Sequence, residues 1–258
     1  MTSRALILNG ILPWVAVVVA AGQPVPPESE VPDFTVTEAE IKLPGVTLDR
    51  KTLEVRIDAE VCLTSGILEY VVCRPGTFEH ESIFTTEATP ELVHAALLLA
   101  GLKPTPQKRG MAELWWERAL KRPESRVEIE VEWEQEGVAQ RERLTSMMKN
   151  REVADPRGGK PEEKKADVQQ AWVFAGSFMQ EDQRAGRKVY AANISGIMVG
   201  IWPDPSTVIQ YGVVSGNPYE GKDLGMEINE ERVPPLGTKV KLVFSRLEPA
   251  KEGAPLGE

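Results

Sequence analysis

"TLEVRIDAEVCLTSGILEYVVC", Thr52 to Cys73, decides the class of this fold. Its first half alternates. Leu53, Val55, Ile57 and Ala59 take one face, and Glu54, Arg56, Asp58 and Glu60 take the other. A period of two is the mark of a half-buried strand. Ser65-Gly66 then offers a turn, and "GILEYVVC" reads as the returning partner strand of a hairpin. In a tight hairpin Cys62 lies opposite Glu69, which leaves Cys62 and Cys73 roughly 13 Å apart along neighbouring strands. A disulfide needs Cα atoms within about 7 Å. A longer loop would shift the register and leave the bridge open.

Further strand patterns flank this stretch. "RVEIEVEW", Arg126 to Trp133, alternates strictly; "EQEG" turns it and "VAQRERL" returns, predicting a half-exposed antiparallel hairpin. "QQAWVFAGSFM", "KVYAANISGIMVGIW", "STVIQYGVV" and "TKVKLVFSRL" are strand-like as well. One segment breaks the pattern. "TPELVHAALLLAGLKP" predicts a helix with Thr89 as N-cap, Pro90 in its first turn, Gly101 past its end and Pro104 as a stop. Leu92 to Ala100 is apolar except for His94, which reads as a helix buried on several sides. "MAELWWERALKR" is a second, weaker helical stretch. The expected fold is therefore α+β: a mostly antiparallel β-sheet with one well-buried α-helix at about residues 90–100 and a second short helix.

The chain has 258 residues and a net charge of −9. Residues 1–22 place Arg4 before an apolar stretch that ends in Ala20-Ala21-Gly22, the order of an export signal peptide. The apolar core of that stretch is short for a bilayer span, and an uncleaved anchor is the other reading. Residues 23–33 form a Pro-rich tether. Residues 34–122 make an N-terminal half with the hairpin and the helix. Residues 123–248 make a β-rich half with a polar loop at 153–167, and 249–258 form a flexible tail. The remainder after the signal segment has no further long apolar run, so it is expected to be soluble, with no transmembrane segment. Its acidity opposes phosphate backbones and excludes nucleic acid as a partner.

The densest chemistry lies in "CRPGTFEHES", Cys73 to Ser82. Arg74-Pro75-Gly76-Thr77 fits a type II turn, with Pro and Gly in its two central positions. If a strand follows, alternation puts Phe78, His80 and Ser82 on the face of Cys73 and turns Glu79 and Glu81 to the other. Cys73 and His80 would then be diagonal neighbours, and His94 would arrive from the helix. A thiol beside imidazoles can serve as a nucleophile with its base, or hold zinc. Glu79, Glu81 and Ser82 are candidate binding residues, the two carboxylates suiting calcium or acid–base work. The plainer reading keeps the histidines on backbone partners and the carboxylates in solvent. No dinucleotide fingerprint, Walker loop, HExxH, GxSxG or CxxC occurs, so no cofactor is implied.

The stretch Gly66 to Pro104 resembles the YdjY-domain family of exported bacterial proteins. The resemblance rests on Cys73, Gly76, Thr77, Glu79, His80, Glu81, Ser82, His94, Ala95 and Ala96. "WVFAGS", Trp172 to Ser177, and "PPLGTKVKLVF", Pro234 to Phe244, resemble the family's C-terminal half. The resemblance implies export and no established reaction. Some members are described beside ferredoxin-type iron–sulfur segments; two cysteines here cannot hold a four-cysteine cluster. The expected function is an exported, non-catalytic binding or structural module of the cell envelope that meets an envelope partner or small ligand. The alternative is a metal- or thiol-dependent enzyme using the Cys73, His80 and His94 region.

Overall fold

The computed structural model describes residues 33–106, 115, 118, 119, 121–151, 172–182, 186–212 and 225–247. The signal segment, nearly all of the tether, the 153–167 loop, most of the second helical stretch and the tail lie outside the described residues. Of that second stretch, Trp115 and Ala119 are helical and pack with Val173 and Ala175.

The N-terminal half contributes β1 (Thr35–Val36), β2 (Glu40–Leu43), β3 (Val46–Asp49), β4 (Val55–Val61), β5 (Ile67–Leu68), β6 (Tyr70–Cys73) and β7 (Phe84–Thr85), then the helix α1 (Pro90–Leu99). A hairpin follows, β8 (Arg126–Gln135) and β9 (Val138–Arg143), and then β10 (Met148–Asn150), β11 (Trp172–Phe174), β12 (Met179–Asp182) and β13 (Arg187–Tyr190). The short helix α2 (Ala191–Ser195) leads into β14 (Ile197–Gly200), β15 (Ile209–Tyr211), β16 (Met226–Ile228) and β17 (Lys239–Arg246).

Eight of these strands close on themselves. The order is β4-β17-β8-β11-β15-β14-β6-β7, and β7 pairs back to β4. Most pairings are antiparallel; β14–β15 and β6–β7 are parallel. The protein is thus a mostly β structure built on an eight-stranded barrel, and the expected α+β sheet with a buried helix is wrong. Alternation supplies the wall. Ile57, Leu242 and Val131 sit side by side across three strands, as do Val55, Phe244 and Ile129. Trp172 joins Val127 to Tyr211 on the next strands, its ring 4.8 Å from that of Tyr211. All of these side chains are buried.

Closure depends on how the edge of β4 is shared. β3 occupies it at Val55 to Ile57, and β7 occupies it at Glu60 and Val61. Phe84 of β7 lies opposite Val61 on one side and Val72 of β6 on the other. The predicted hairpin between "TLEVRIDAEV" and "GILEYVVC" therefore does not form; β7 stands between its two arms. The cysteines are free. They are kept apart by β7, not by the hairpin register.

The helix is also corrected. α1 begins and ends where the sequence predicts, but it buries one stripe, Pro90, Val93, Ala96 and Leu97, against β3 and β4. Leu98 and Leu99 are 46% and 56% exposed. Apolar composition states how much surface a helix offers, not how much its neighbours cover. Here the barrel is the core, and the helix lies against it. The β8–β9 hairpin forms as predicted, with Glu136 and Gly137 both at positive φ in its turn, the primed geometry that matches strand twist.

Truncating the closing side chain tests the architecture. Phe84→Ala is expected to cost about 3–5 kcal/mol in urea unfolding, the loss for emptying a fully buried aromatic site. The exposed Leu99→Ala should change the midpoint little.

Candidate functional site

The motif Cys73 to Ser82 is a crossover. β6 and β7 run parallel, so the chain must return to the starting end between them, and a strand hairpin cannot do this. Gly76, at φ +81°, makes the first reversal, as the predicted Pro-Gly turn requires. Glu79 to Glu81 then form one turn of 3-10 helix. The expected strand alternation across "FEHES" is therefore absent, and neighbours in sequence become neighbours in space.

Each predicted site residue has a definite place. Cys73 ends β6 and is fully buried, between Ile197 of β14 and Thr85 of β7. Burial pushes its thiol up, while Ser82 and Thr77 act in the opposite direction. Burial also pushes the Cys62 thiol up, to about 12, and its Sγ lies 3.2 Å from the Ser82 carbonyl oxygen. Ser82 Oγ is buried and makes no regular hydrogen bond. Glu79 accepts a bond from the Gly76 N–H, which holds its carboxyl below the usual range and braces the turn.

His80 is 70% exposed, with Nε2 3.6 Å from Glu81. Burial, and then the Glu81 carboxylate, raise the pKa of Glu69. His94 is elsewhere. It lies on α1 with its ring edge-on to Phe174 and Tyr190, and Nδ1 is 2.7 Å from the Tyr190 hydroxyl. The Tyr190 hydroxyl also donates to the Gly176 carbonyl at 3.0 Å, so the imidazole, the phenol and the backbone form one linked set. Burial holds the His94 pKa low. The structure thus pairs His80 with Glu81 and His94 with Tyr190. Among the described residues no three His, Cys, Asp or Glu side chains group to hold a metal ion.

Sequence reasoning did not single out the cleft that these segments support. α2 is held at both ends. The Arg74 N–H donates to Gly196 O at 2.8 Å, tying the motif turn to the end of the helix. Gly196 is at φ +74°, and a Cβ there would come within 2.7 Å of Thr77 Cγ2. The Ala191 and Ala192 N–H groups donate to Phe178 O and Ser177 Oγ. Gly176 and Ser177, in the "WVFAGS" stretch, both have positive φ. A Cβ on Gly176 would lie 2.5 Å from Pro104 and 3.3 Å from His94 Cε1.

Beside α2 is a cleft of about 600 Å³. Phe178 and Gln180, two residues apart at the start of β12, form one wall, and Ala191, Ile194 and Ser195 of α2 form another. Asp204, Pro205 and Ser206 close it. Their loop is organised by buried Gln210, whose amide donates to the Gly200, Ile201 and Trp202 carbonyls and whose Oε1 accepts from the Asp204 N–H. Phe178 and Ile194 are large apolar side chains left 44% and 55% exposed at its edge. No local motif marks the cleft as one site, because it is assembled from three separated segments.

Two outcomes test this geometry. Native protein should leave Cys73 unreactive to an aromatic disulfide reagent, with full thiol titration only in denaturant, because burial both hides the sulfur and raises its pKa. The low folded-state pKa of His94 makes protonation oppose folding. Its contribution is complete above the ordinary histidine pKa and is lost as pH falls from there through the folded value. The denaturation midpoint should therefore fall between pH 7.5 and pH 5, and His94→Gln should lessen that slope.

No curated protein and no solved structure matches this chain. The family model described as YdjY domain matches residues 46–245, which take in the barrel except Arg246 at the end of β17, the Cys73–Ser82 crossover, α1 and the cleft. The chain belongs to the YdjY domain family.

Proposed function

We propose that this protein is an exported binding module of the cell envelope that takes a small ligand, or a short segment of a partner, in the cleft beside α2. The observation that carries the reading is the cleft itself: about 600 Å³, lined by apolar and hydrogen-bonding side chains together, with Phe178 and Ile194 exposed at its edge. Concave sites with apolar walls and a few fixed polar groups are the usual form of ligand sites. An uncovered phenylalanine and isoleucine facing one space also cost solvation that a ligand would recover.

Binding fits the thiols better than thiol catalysis does. A nucleophilic cysteine needs an accessible, lowered-pKa sulfur. Cys73 is buried and its pKa is raised, and the imidazole of His80 is engaged with Glu81 at the surface. The export part of the reading rests on the segment 1–22, with its single Arg4 before an apolar stretch and small residues at its end. Among the described residues no helix is long and apolar enough to cross a membrane.

Two measurements test the reading. Expression of the full chain in a bacterium with an outer membrane should place it in the periplasmic fraction, shortened near residue 22 by intact mass; retention in the cytoplasm at full mass would overturn export. In a fragment screen followed by ligand-detected NMR, hits should be lost in Phe178→Ala and Ile194→Ser variants of unchanged Tm. Hits that persist in both variants would place binding elsewhere.

A further inference from the structure

Among the described lining residues of the cleft, Asp204 is the one ionisable side chain; the others are apolar, hydroxyl or amide. Its Oδ1 accepts the Ser206 N–H at 2.8 Å, which fixes the carboxylate on the loop, and among the described residues Oδ2 has no hydrogen-bond or ion-pair partner. Ser206 donates to Ser195 Oγ at 3.3 Å, and the Ile197 N–H donates to the same oxygen at 3.3 Å. Ser195 Oγ therefore accepts from both, and its hydroxyl lines the cleft. The polar side of the cleft thus offers a carboxylate oxygen and hydroxyl groups, and none of the described lining residues is a cation. The opposite side offers Phe178, Ala191 and Ile194.

The geometry points to a specific ligand chemistry: a primary ammonium carried on an apolar body, with Asp204 Oδ2 as the acceptor for the ammonium and Phe178 with Ile194 as the seat for the body. An anionic ligand would meet an unpaired carboxylate in a partly desolvated site, which is unfavourable. A neutral apolar ligand would leave the fixed carboxylate unmatched. An ammonium gains a charge-assisted hydrogen bond there. The same group is found on a free amphiphilic amine and at the amino terminus of a peptide. In the peptide case the first carbonyl would follow the ammonium by two bonds, within reach of the Ser195 hydroxyl.

This inference rests on the proposed binding role of the cleft, and one set of titrations separates the two. The full chain is titrated at pH 7 with phenethylamine, its N-acetyl derivative, the peptide Phe-Ala-Ala and N-acetyl-Phe-Ala-Ala, read by calorimetry or NMR. Each free amine should bind at least about tenfold more tightly than its acetylated partner, the scale of one charge-assisted bond. Asp204→Asn keeps the turn acceptor and should erase that ratio; Phe178→Ala should weaken amine and acetylated forms alike. Tighter binding of Phe-Ala-Ala than of phenethylamine would assign the ammonium to a peptide terminus, and the reverse order to a free amine. Equal affinity of free and acetylated forms, with Phe178→Ala still weakening both, would overturn the ammonium inference and leave the cleft as a binding site. No binding by any of the four, in wild type and variants alike, would overturn both.

Discussion

A strand of two residues holds this structure together. Phe84 and Thr85 pair with β4 on one side and β6 on the other, and that double pairing turns an open sheet into a barrel. Closure satisfies backbone groups that an edge would expose. It also dictates what precedes β7. Because β7 runs parallel to β6, the ten residues between them must cross over and return, and the Gly76 turn with its 3-10 helix is the compact way to do so. The motif is dense in polar side chains because it has a turn to brace: Glu79 holds the Gly76 N–H, Thr77 holds the Arg74 carbonyl, and Cys62 leans on the Ser82 carbonyl.

The crossover also reaches the cleft. Its Arg74 N–H and Thr77 side chain meet Gly196, at the end of α2. From the other direction His94 hydrogen-bonds Tyr190, the residue before α2, and the Tyr190 hydroxyl donates to the Gly176 carbonyl. The two histidine-bearing segments therefore do not converge on one another. They brace the same short helix from different sides. Glu91 adds a third brace through Asn193, whose side-chain amide donates to it. The cleft wall is thus positioned by residues that never touch the cleft.

Much of the local structure was legible. Strict alternation in "RVEIEVEW" marked β8, and its Glu-Gly turn marked the hairpin to β9. Thr89, Pro90 and Gly101 bounded α1, and Pro75-Gly76 marked a turn with positive φ. What failed were statements about partners. The alternation of Val55 to Val61 says that one face is buried, not whether β6, β7 or β17 lies beside it. Nothing in Leu98 and Leu99 distinguishes them from Val93 and Leu97; only the barrel's position decides which pair is covered. The strand reading of "FEHES" failed because period two cannot be told from a single 3-10 turn over five residues.

By itself the sequence determined the local grammar of this protein: where strands alternate, where the helix begins and ends, where glycine must turn the chain, and which family the crossover motif resembles. Those are properties of neighbours along the chain, set by sterics, capping and side-chain period. Tertiary structure alone decided that the strands close into a barrel, that Cys62 and Cys73 lie on either side of β7, and that Phe178, Ile194 and Asp204 share a cleft. The reason is physical. Closure and cleft formation are fixed by which distant surfaces exclude water from each other, and a residue's own neighbours in sequence carry no record of that choice.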